Sequence, residues 1–235
     1  MRYASVSYDY HFWRYQYLDV GGTELSRVIN GDIRFYYENN INGAIEDGSQ
    51  RSFFPTGYPF YVYARTLFDA SLNCEEICEE YFSCAFGEEW RQFYDYLEKL
   101  GRAFDYSYMT GECGTDSVRT NWYDPSKVES LSRVKEITDE GEALIRSHYN
   151  SDYRIRTVSV RLLEYHIEYA RLLADALIAK AKGNDDEADE LYRKMRIEFG
   201  KRECAIERFY DHGLAFRSLN RIFEARKRCD EPVIF

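Results

Sequence analysis

Several sequence signatures that usually identify an enzyme mechanism are missing from this chain. It contains no glycine-rich dinucleotide fingerprint, no Walker-type phosphate loop, no His-Glu-x-x-His pair and no Gly-x-Ser-x-Gly elbow. The sequence therefore gives no indication of a nucleotide-dependent enzyme, a zinc protease or a serine hydrolase. The residues left to carry chemistry are carboxylates, and we expect no cofactor.

Long apolar runs and basic blocks are also missing. No run approaches the roughly 20 apolar residues that cross a bilayer, and Met1–Ser5 lacks the apolar core of a signal peptide. No cluster of lysine and arginine offsets the net charge of −10. These features argue against nucleic acid and membranes as partners, and they make the cytoplasm the default location.

Cysteine is present without a recognisable pattern. Six cysteines stand at positions 74, 78, 84, 113, 204 and 229, a spacing that fits neither a zinc ribbon nor a small disulfide scaffold. Cys74 and Cys78 are one helical turn apart, which makes either half a metal site or two free thiols on a helix. With no second pair in the sequence, we predict no metal site.

Apolar and aromatic residues are plentiful. The 235 residues are 45% hydrophobic, enough for a real core, and they include 22 tyrosines and 15 phenylalanines. Tyrosine combines an apolar ring with a polar tip, so this enrichment suits sugar-facing or wet surfaces. Helix–helix packing is the alternative explanation, and we prefer it for most of these residues.

The first fifty residues have the pattern of a strand, a helix and a second strand. Residues 5–13 alternate with period two, which places Val6, Tyr8, Tyr10 and Phe12 on one face and Asp9, His11 and Trp13 on the other. Thr23 is a good N-cap for a helix that extends to about Glu38, and residues 41–46 form the next strand. Such a unit predicts parallel pairing with a right-handed crossover.

The remainder of the chain is predicted to be helical. Helices are expected over 59–69, from an N-cap at Asn73, and over 90–104, followed by a loop at 105–124 that could mark a subdomain boundary. Apolar residues then recur in steps of three and four from Val158 to Ala179 and from Leu191 to Phe209. This spacing predicts an antiparallel helical bundle.

Asp9 and Glu46 are the candidate catalytic residues. They are 37 residues apart, and each is predicted at or near the carboxyl end of a strand, where α/β barrels place catalytic groups. Two carboxylates on either side of a sugar serve as general acid and base, or as acid and nucleophile. Ordinary surface acids or loop caps are the alternative.

Nearby residues are candidate substrate contacts. His11 could donate to a sugar hydroxyl or orient Asp9, and Arg51 could bind a carboxylate with both of its terminal nitrogens. A half-buried strand histidine and a solvated loop arginine are the alternatives. Aromatic rings could stack on sugar or form a hydrophobic plug beneath the loop; they belong to Trp13, Phe53, Phe54 and Tyr58.

Several stretches together resemble a known family. They are Tyr8–Phe12, Asn42–Asp47, Phe53–Phe68, Tyr81–Gly87 and Tyr94–Leu97. In combination they look like the carboxyl-terminal part of an uncharacterised family of glycoside hydrolase-like proteins related to the family 67 α-glucuronidases. The resemblance covers roughly residues 1–105, and the later helices match only in pattern.

The resemblance implies a partial barrel followed by helices. Residues 1–70 would be the last strands and helices of a (β/α)8 barrel, and residues 71–235 the helical domain that follows. Asp9 and Glu46 would be the late-strand carboxylates that activate water, with Asp47 among the sugar contacts. The glutamate that protonates the leaving group lies on an earlier strand and has no counterpart in this sequence.

These implications set the overall expectation. A complete barrel needs about 250 residues, and only about two of its eight units are present. We therefore expect a fragment that is inactive alone, binds a carbohydrate such as a uronic-acid-containing glycan, and either self-associates or requires the absent barrel portion. The alternative is a non-catalytic helical module that binds carbohydrate or another protein.

Overall fold

Helices make up most of the chain, and two strands lie near its start. The computed structural model describes residues 5–112, 119 and 121–224. In chain order the strands and helices are β1 (Ser5–Asp9), α1 (Thr23–Glu38), β2 (Ile41–Glu46), α2 (Tyr58–Phe68), α3 (Cys74–Phe86), α4 (Trp90–Phe104), α5 (Tyr106–Thr110), α6 (Lys127–Ser132), α7 (Val134–Ser147), α8 (Arg154–Ala181), α9 (Asp185–Gly200), α10 (Glu203–Ile206) and α11 (His212–Phe223).

The two strands pair in parallel, as the sequence pattern predicts. Tyr8 lies opposite Ile45 and Asp9 opposite Glu46, with α1 connecting the strands. β1 ends at Asp9 rather than continuing to Trp13, because the chain turns there and the Trp13 amide donates to the Tyr10 carbonyl. An α/β start followed by helices is therefore confirmed.

The start of α1 differs from the prediction. Gly22, not Thr23, occupies the N-cap position, with a positive φ of 71° that suits glycine. The side chain of buried Asp19 takes over the capping role: its carboxylate oxygens accept hydrogen bonds from the amides of Gly22 and Leu25, at 3.0 and 2.7 Å. The prediction of a Thr23 cap was wrong because the helix is capped from outside its own first turn.

The next helices follow their local signals. Asn73 caps α3 through a reciprocal arrangement with Glu76, as the sequence predicts, and α4 has its predicted bounds. Helix α4 approaches the first unit at Gly21, where an added Cβ would lie 2.4 Å from the carbonyl oxygen of Leu97. The absence of a side chain at Gly21 therefore allows α4 to pack directly against the backbone that leads into α1.

The long helix α8 is the centre of the helical part. Its buried residues include Leu163, Ala170 and Leu177, and it packs chiefly against α7 and α9. A tight turn through Gly183, with φ of 81°, leads from α8 into α9. No helix in the described part of the chain is long and apolar enough to span a bilayer.

The loop after β2 is attached to the end of the bundle. The Phe53 amide donates to the Phe209 carbonyl at 2.9 Å, and Ser52 forms an isolated antiparallel bridge with Tyr210. The ring of Phe54 enters the bundle and packs against aromatic rings of three separate segments, namely His166, Tyr169, Phe199 and Tyr210. The strands and the last helices therefore share one hydrophobic core.

Two of the sequence predictions concern sets of residues of which the structure describes only some. The predicted loop at 105–124 contains the short helix α5, while residues 113–118 and 120 lie outside the described part of the chain. Cys74, Cys78, Cys84 and Cys204 are free thiols, and Cys113 and Cys229 lie outside the described residues. The division into 1–70 and 71–235 stays a prediction.

Candidate functional site

Three predicted site residues meet at the carboxyl ends of the strands. Asp9 and Glu46 are register partners, so their side chains project from the same face of the sheet. Nδ1 of His11, two residues beyond β1, lies 2.8 Å from Oε2 of Glu46. Nε2 of the same ring lies 3.0 Å from Oδ2 of Asp32 on α1. We call Asp9, His11, Asp32 and Glu46 the carboxylate–histidine cluster.

The carboxylate–histidine cluster is enclosed on the helix side of the sheet. Oδ1 of Asp9 accepts a hydrogen bond from the Tyr36 hydroxyl on α1 at 2.8 Å, and Oε1 of Glu46 accepts one from the Phe12 amide at 3.2 Å. Asp9 is only 8% exposed, and the Glu46 side chain only 12%. The cluster therefore orders the strand ends against the helices; Asp9, His11 and Glu46 are largely closed to solvent, whereas the Asp32 side chain is 45% exposed.

The protonation of His11 follows from these contacts. Burial lowers the pKa of His11, but hydrogen bonds to Asp32 and Glu46 outweigh burial and raise the pKa to about 9. The imidazole is therefore protonated at neutral pH and links two carboxylates. Because its folded pKa exceeds the usual 6.5, His11 stabilises the fold below pH 6.5, and this contribution is lost as pH rises through about 9.

We expect the titration of His11 to be directly measurable. In an NMR titration its ring resonances should shift with an apparent pKa near 9, and Glu46→Gln should lower that value by removing one charged acceptor. His148, whose ring is only partly buried, provides a second resonance in the same spectra. An ordinary value near 6.5 for His11 in the wild-type chain would contradict the bridged arrangement.

The carboxylate–histidine cluster also contains a set of atoms that suits a cation. One ligand atom each from Asp9, His11 and Glu46 lies within 4.8 Å of the other two, and Oδ2 of Asp9 is buried without a hydrogen-bond partner. A metal ion, however, would have to replace the proton of His11 and its bond to Glu46. In the geometry described, protonated His11 already supplies the positive charge between the carboxylates.

The opposite face of the sheet is open. Tyr8 and Tyr10 project there with 55% and 50% of their surface exposed, and their ring centroids are 5.3 Å apart. The Tyr8 hydroxyl donates to Oδ2 of Asp47 at 3.2 Å. We call Val6, Tyr8, Tyr10, Ile45 and Asp47 the open face. It presents two aromatic rings and a carboxylate to solvent.

The other predicted substrate contacts do not join either group. Nη2 of Arg51 pairs with Asp211 at 3.1 Å and helps to hold the loop. Tyr58 is only 2% exposed, and its ring packs against Phe82 in the core, so it cannot contact a surface ligand in this arrangement. Trp13 is half-buried, and the ring of Phe53, in the loop after β2, packs against Phe60.

Sequence reasoning missed the helical side of the cluster. Asp32 and Tyr36 are four residues apart on α1, so both point from one helix face toward the strand ends. Tyr63 on α2 places its ring 6.3 Å from that of His11. The four-residue spacing on α1 was available as a signal, whereas nothing local indicates that α2 covers the same place.

The comparisons with known proteins leave the site to be interpreted by its chemistry. No protein-family model, curated protein or solved structure matches the chain. Function has to be argued from the carboxylate–histidine cluster and the open face, because a fold alone does not specify an activity.

Proposed function

We propose that the chain is the carboxyl-terminal portion of a glycoside hydrolase similar to the family 67 α-glucuronidases and that its open face binds carbohydrate. The observation that carries this is the pair of exposed rings of Tyr8 and Tyr10 beside the carboxylate of Asp47, at the carboxyl ends of parallel strands. Ligands of α/β proteins typically bind at such strand ends.

The chemistry of the open face suits a sugar. The apolar faces of pyranose rings stack on aromatic side chains, and sugar hydroxyls donate hydrogen bonds to carboxylates. Tyr8 and Tyr10 supply the first kind of contact, and Asp47 supplies the second. A uronic-acid-containing glycan is the ligand class that the family resemblance adds to the proposal, with Asp47 facing its hydroxyls and not its carboxylate, because like charges repel. Neither nucleic acid nor a membrane is part of the proposal.

Asp9 and Glu46 are proposed as the carboxylates that activate water in the full-length enzyme. Their side-by-side position on neighbouring parallel strands supports these roles. Both side chains face α1 and α2, on the side of the sheet opposite the open face, so a sugar bound at the open face does not reach them in this chain. We therefore propose that the chain alone binds carbohydrate without hydrolysing it.

The open face also supports association with further strands. Parallel sheets are usually covered on both faces, yet Val6 and Ile45 are exposed beneath the two tyrosines. In the proposed arrangement the remaining strands come from a barrel portion outside these residues or from a second copy of the chain. These strands would cover Val6 and Ile45, while the rings of Tyr8 and Tyr10 would remain exposed at the carboxyl ends of the strands.

The open face can be tested by carbohydrate binding. We expect Tyr8→Ala, Tyr10→Ala and Asp47→Asn each to weaken binding of a glucuronic-acid-containing oligosaccharide by about tenfold, the effect of losing one stacking or charge-assisted contact. Isothermal titration of the full chain, in an oligomeric state fixed by sedimentation, measures the change. Tyr153→Ala removes an equally exposed tyrosine far along the chain and should leave binding unchanged.

Glu46→Gln completes the experiment. It alters the carboxylate on the helix side and leaves the open face intact, so it should retain binding if the open face holds the sugar. Affinity that survives all three open-face substitutions would contradict the open-face site. Loss of affinity confined to Glu46→Gln, with an unchanged melting curve, would instead assign the sugar to the carboxylate–histidine cluster.

A second candidate is a non-catalytic module that binds carbohydrate or another protein. The specific observation in its favour is that Asp9 and Glu46 turn toward the helices while the exposed rings lie on the other face. Under this alternative the carboxylate–histidine cluster is structural. Joining the chain to the proposed barrel portion and assaying hydrolysis with Glu46→Gln as control separates the two, since a module would never become active.

A further inference from the structure

A second concave site lies on the other side of the loop that follows β2. It is a cleft of about 630 Å³, bounded by loop residues 53–57, by α2 and α3, by the start of α8 and by residues 208–209. This volume is within the range of small-molecule sites. None of the open-face residues lines it. We call it the arginine cleft.

Most of the arginine cleft is apolar. Phe53, Phe60 and Tyr81 supply aromatic walls, and Ile155 stands at the start of α8 with most of its surface in solvent. Exposed apolar residues that cluster in a concavity typically mark a binding surface, whereas single ones are common. The walls therefore suit a hydrocarbon chain or an aromatic ring.

The charge of the cleft has one sign. Among the residues that the structure describes, the charged ones that line it are Arg154 and Arg208, although the chain as a whole has 41 acidic and 31 basic residues. Within the part of the chain that the structure describes, neither arginine forms an ion pair. Both residues are exposed, so an anion can approach them from solvent.

The position of Arg154 strengthens this electrostatic asymmetry. It is the first residue of the 28-residue helix α8, whose first turn contains no acidic residue. The amino-terminal end of a helix carries partial positive charge and is usually complemented by acidic side chains. At α8 a cationic side chain takes that place, so the helix end and Arg154 both favour a bound anion.

We propose that the arginine cleft binds an amphiphile with an apolar body and an anionic head, either a carboxylate or a phosphate. The aromatic walls bury the body, and Arg154 and Arg208 hold the head through charge-assisted hydrogen bonds. No acidic residue of the described ranges lines the cleft, so the site discriminates against neutral and cationic amphiphiles. The arginine cleft is a second ligand site, independent of carbohydrate binding at the open face.

The test compares single-chain amphiphiles of one length on the full chain. Dodecanoate, dodecyl phosphate and dodecyltrimethylammonium are titrated calorimetrically below their critical micelle concentrations, and dodecanol below its solubility limit. We expect the two anions to bind at least tenfold more tightly than dodecanol, and the cation to bind most weakly. The ratio of the dissociation constants of dodecanoate and dodecyl phosphate identifies the preferred anionic head group.

Matched variants assign the effect to the cleft. R154Q combined with R208Q should remove the preference for anions while leaving dodecanol binding unchanged. Arg217→Gln, an exposed arginine of α11, should have no effect. Ala64→Trp fills the cleft from an exposed position on α2 and should abolish binding of all four compounds.

Salt provides a measurement that needs no variant. The tenfold advantage of dodecanoate over dodecanol should shrink when sodium chloride rises from about 0.05 to 0.5 M, because the guanidinium–anion attraction is screened. Equal affinity for dodecanol and dodecanoate at low salt would overturn the proposal. Binding that Ala64→Trp leaves intact would overturn it as well, since the ligand would then lie elsewhere.

Discussion

Gly21→Ala should destabilise the folded chain by about 3 kcal/mol, the upper end for steric overpacking. A Cβ at this position would lie 2.4 Å from the Leu97 carbonyl oxygen and 3.1 Å from the Gly101 Cα, both backbone atoms of α4. Backbone within a helix cannot yield as a flexible side chain can, so α4 must move away from the strand–helix unit. Urea unfolding monitored by circular dichroism measures the loss.

Gly31→Ala is the matched control for this substitution. Gly31 lies within α1, and an added Cβ would meet nothing within 4 Å. Alanine is the better helix former, so the variant should be more stable than the wild type by about 0.5–1 kcal/mol. Equal effects of the two substitutions would show that Gly21 does not mark a close contact with α4.

Acid should destabilise the bundle through His166. The ring is fully buried against Phe54 and Tyr169, and burial lowers the pKa of His166 to about 3. The unfolded chain takes up a proton below pH 6.5, while the folded chain stays neutral at this residue until about pH 3. Stability is therefore complete above pH 6.5 and falls with pH, by about 2 kcal/mol at pH 5.

The contribution of His166 can be isolated by a difference measurement. Other groups titrate in the same range, and burial raises the pKa of Asp19 to about 6, which acts in the opposite direction. We therefore compare the wild type with His166→Phe at pH 7.5 and pH 5 by urea unfolding. The variant should lose about 2 kcal/mol less than the wild type between the two conditions. Parallel losses would show that His166 is not held neutral.

Local signals in the sequence predicted the early fold well. The strand at Ile41–Glu46, the cap at Asn73 and helix α4 depend on residues within a few positions of each other, and all three are confirmed. The cap of α1 was missed because Asp19 reaches the helix across a turn.

The candidate site, too, was predicted where it depends on local sequence and missed where it depends on packing between distant segments. Adjacent positions for Asp9 and Glu46 followed from a strand–helix–strand unit and are observed in the pairing register. Their enclosure by Asp32, Tyr36 and Tyr63 depends on how α1 and α2 dock, which period and spacing do not encode. Likewise, the partner of Arg51 is Asp211, 160 positions away, beyond the reach of any pattern in the sequence.

The attachment of the loop after β2 bears on how the chain matures during synthesis. Phe53 and Phe54 contact Phe209 and Tyr210, so the ribosome must release the chain as far as Tyr210 before this loop has its partners. Until then Phe54 has no pocket, and it is an exposed apolar group that a chaperone could bind. The loop after β2 is therefore completed only after the last helices have been synthesised, although it precedes them in the chain.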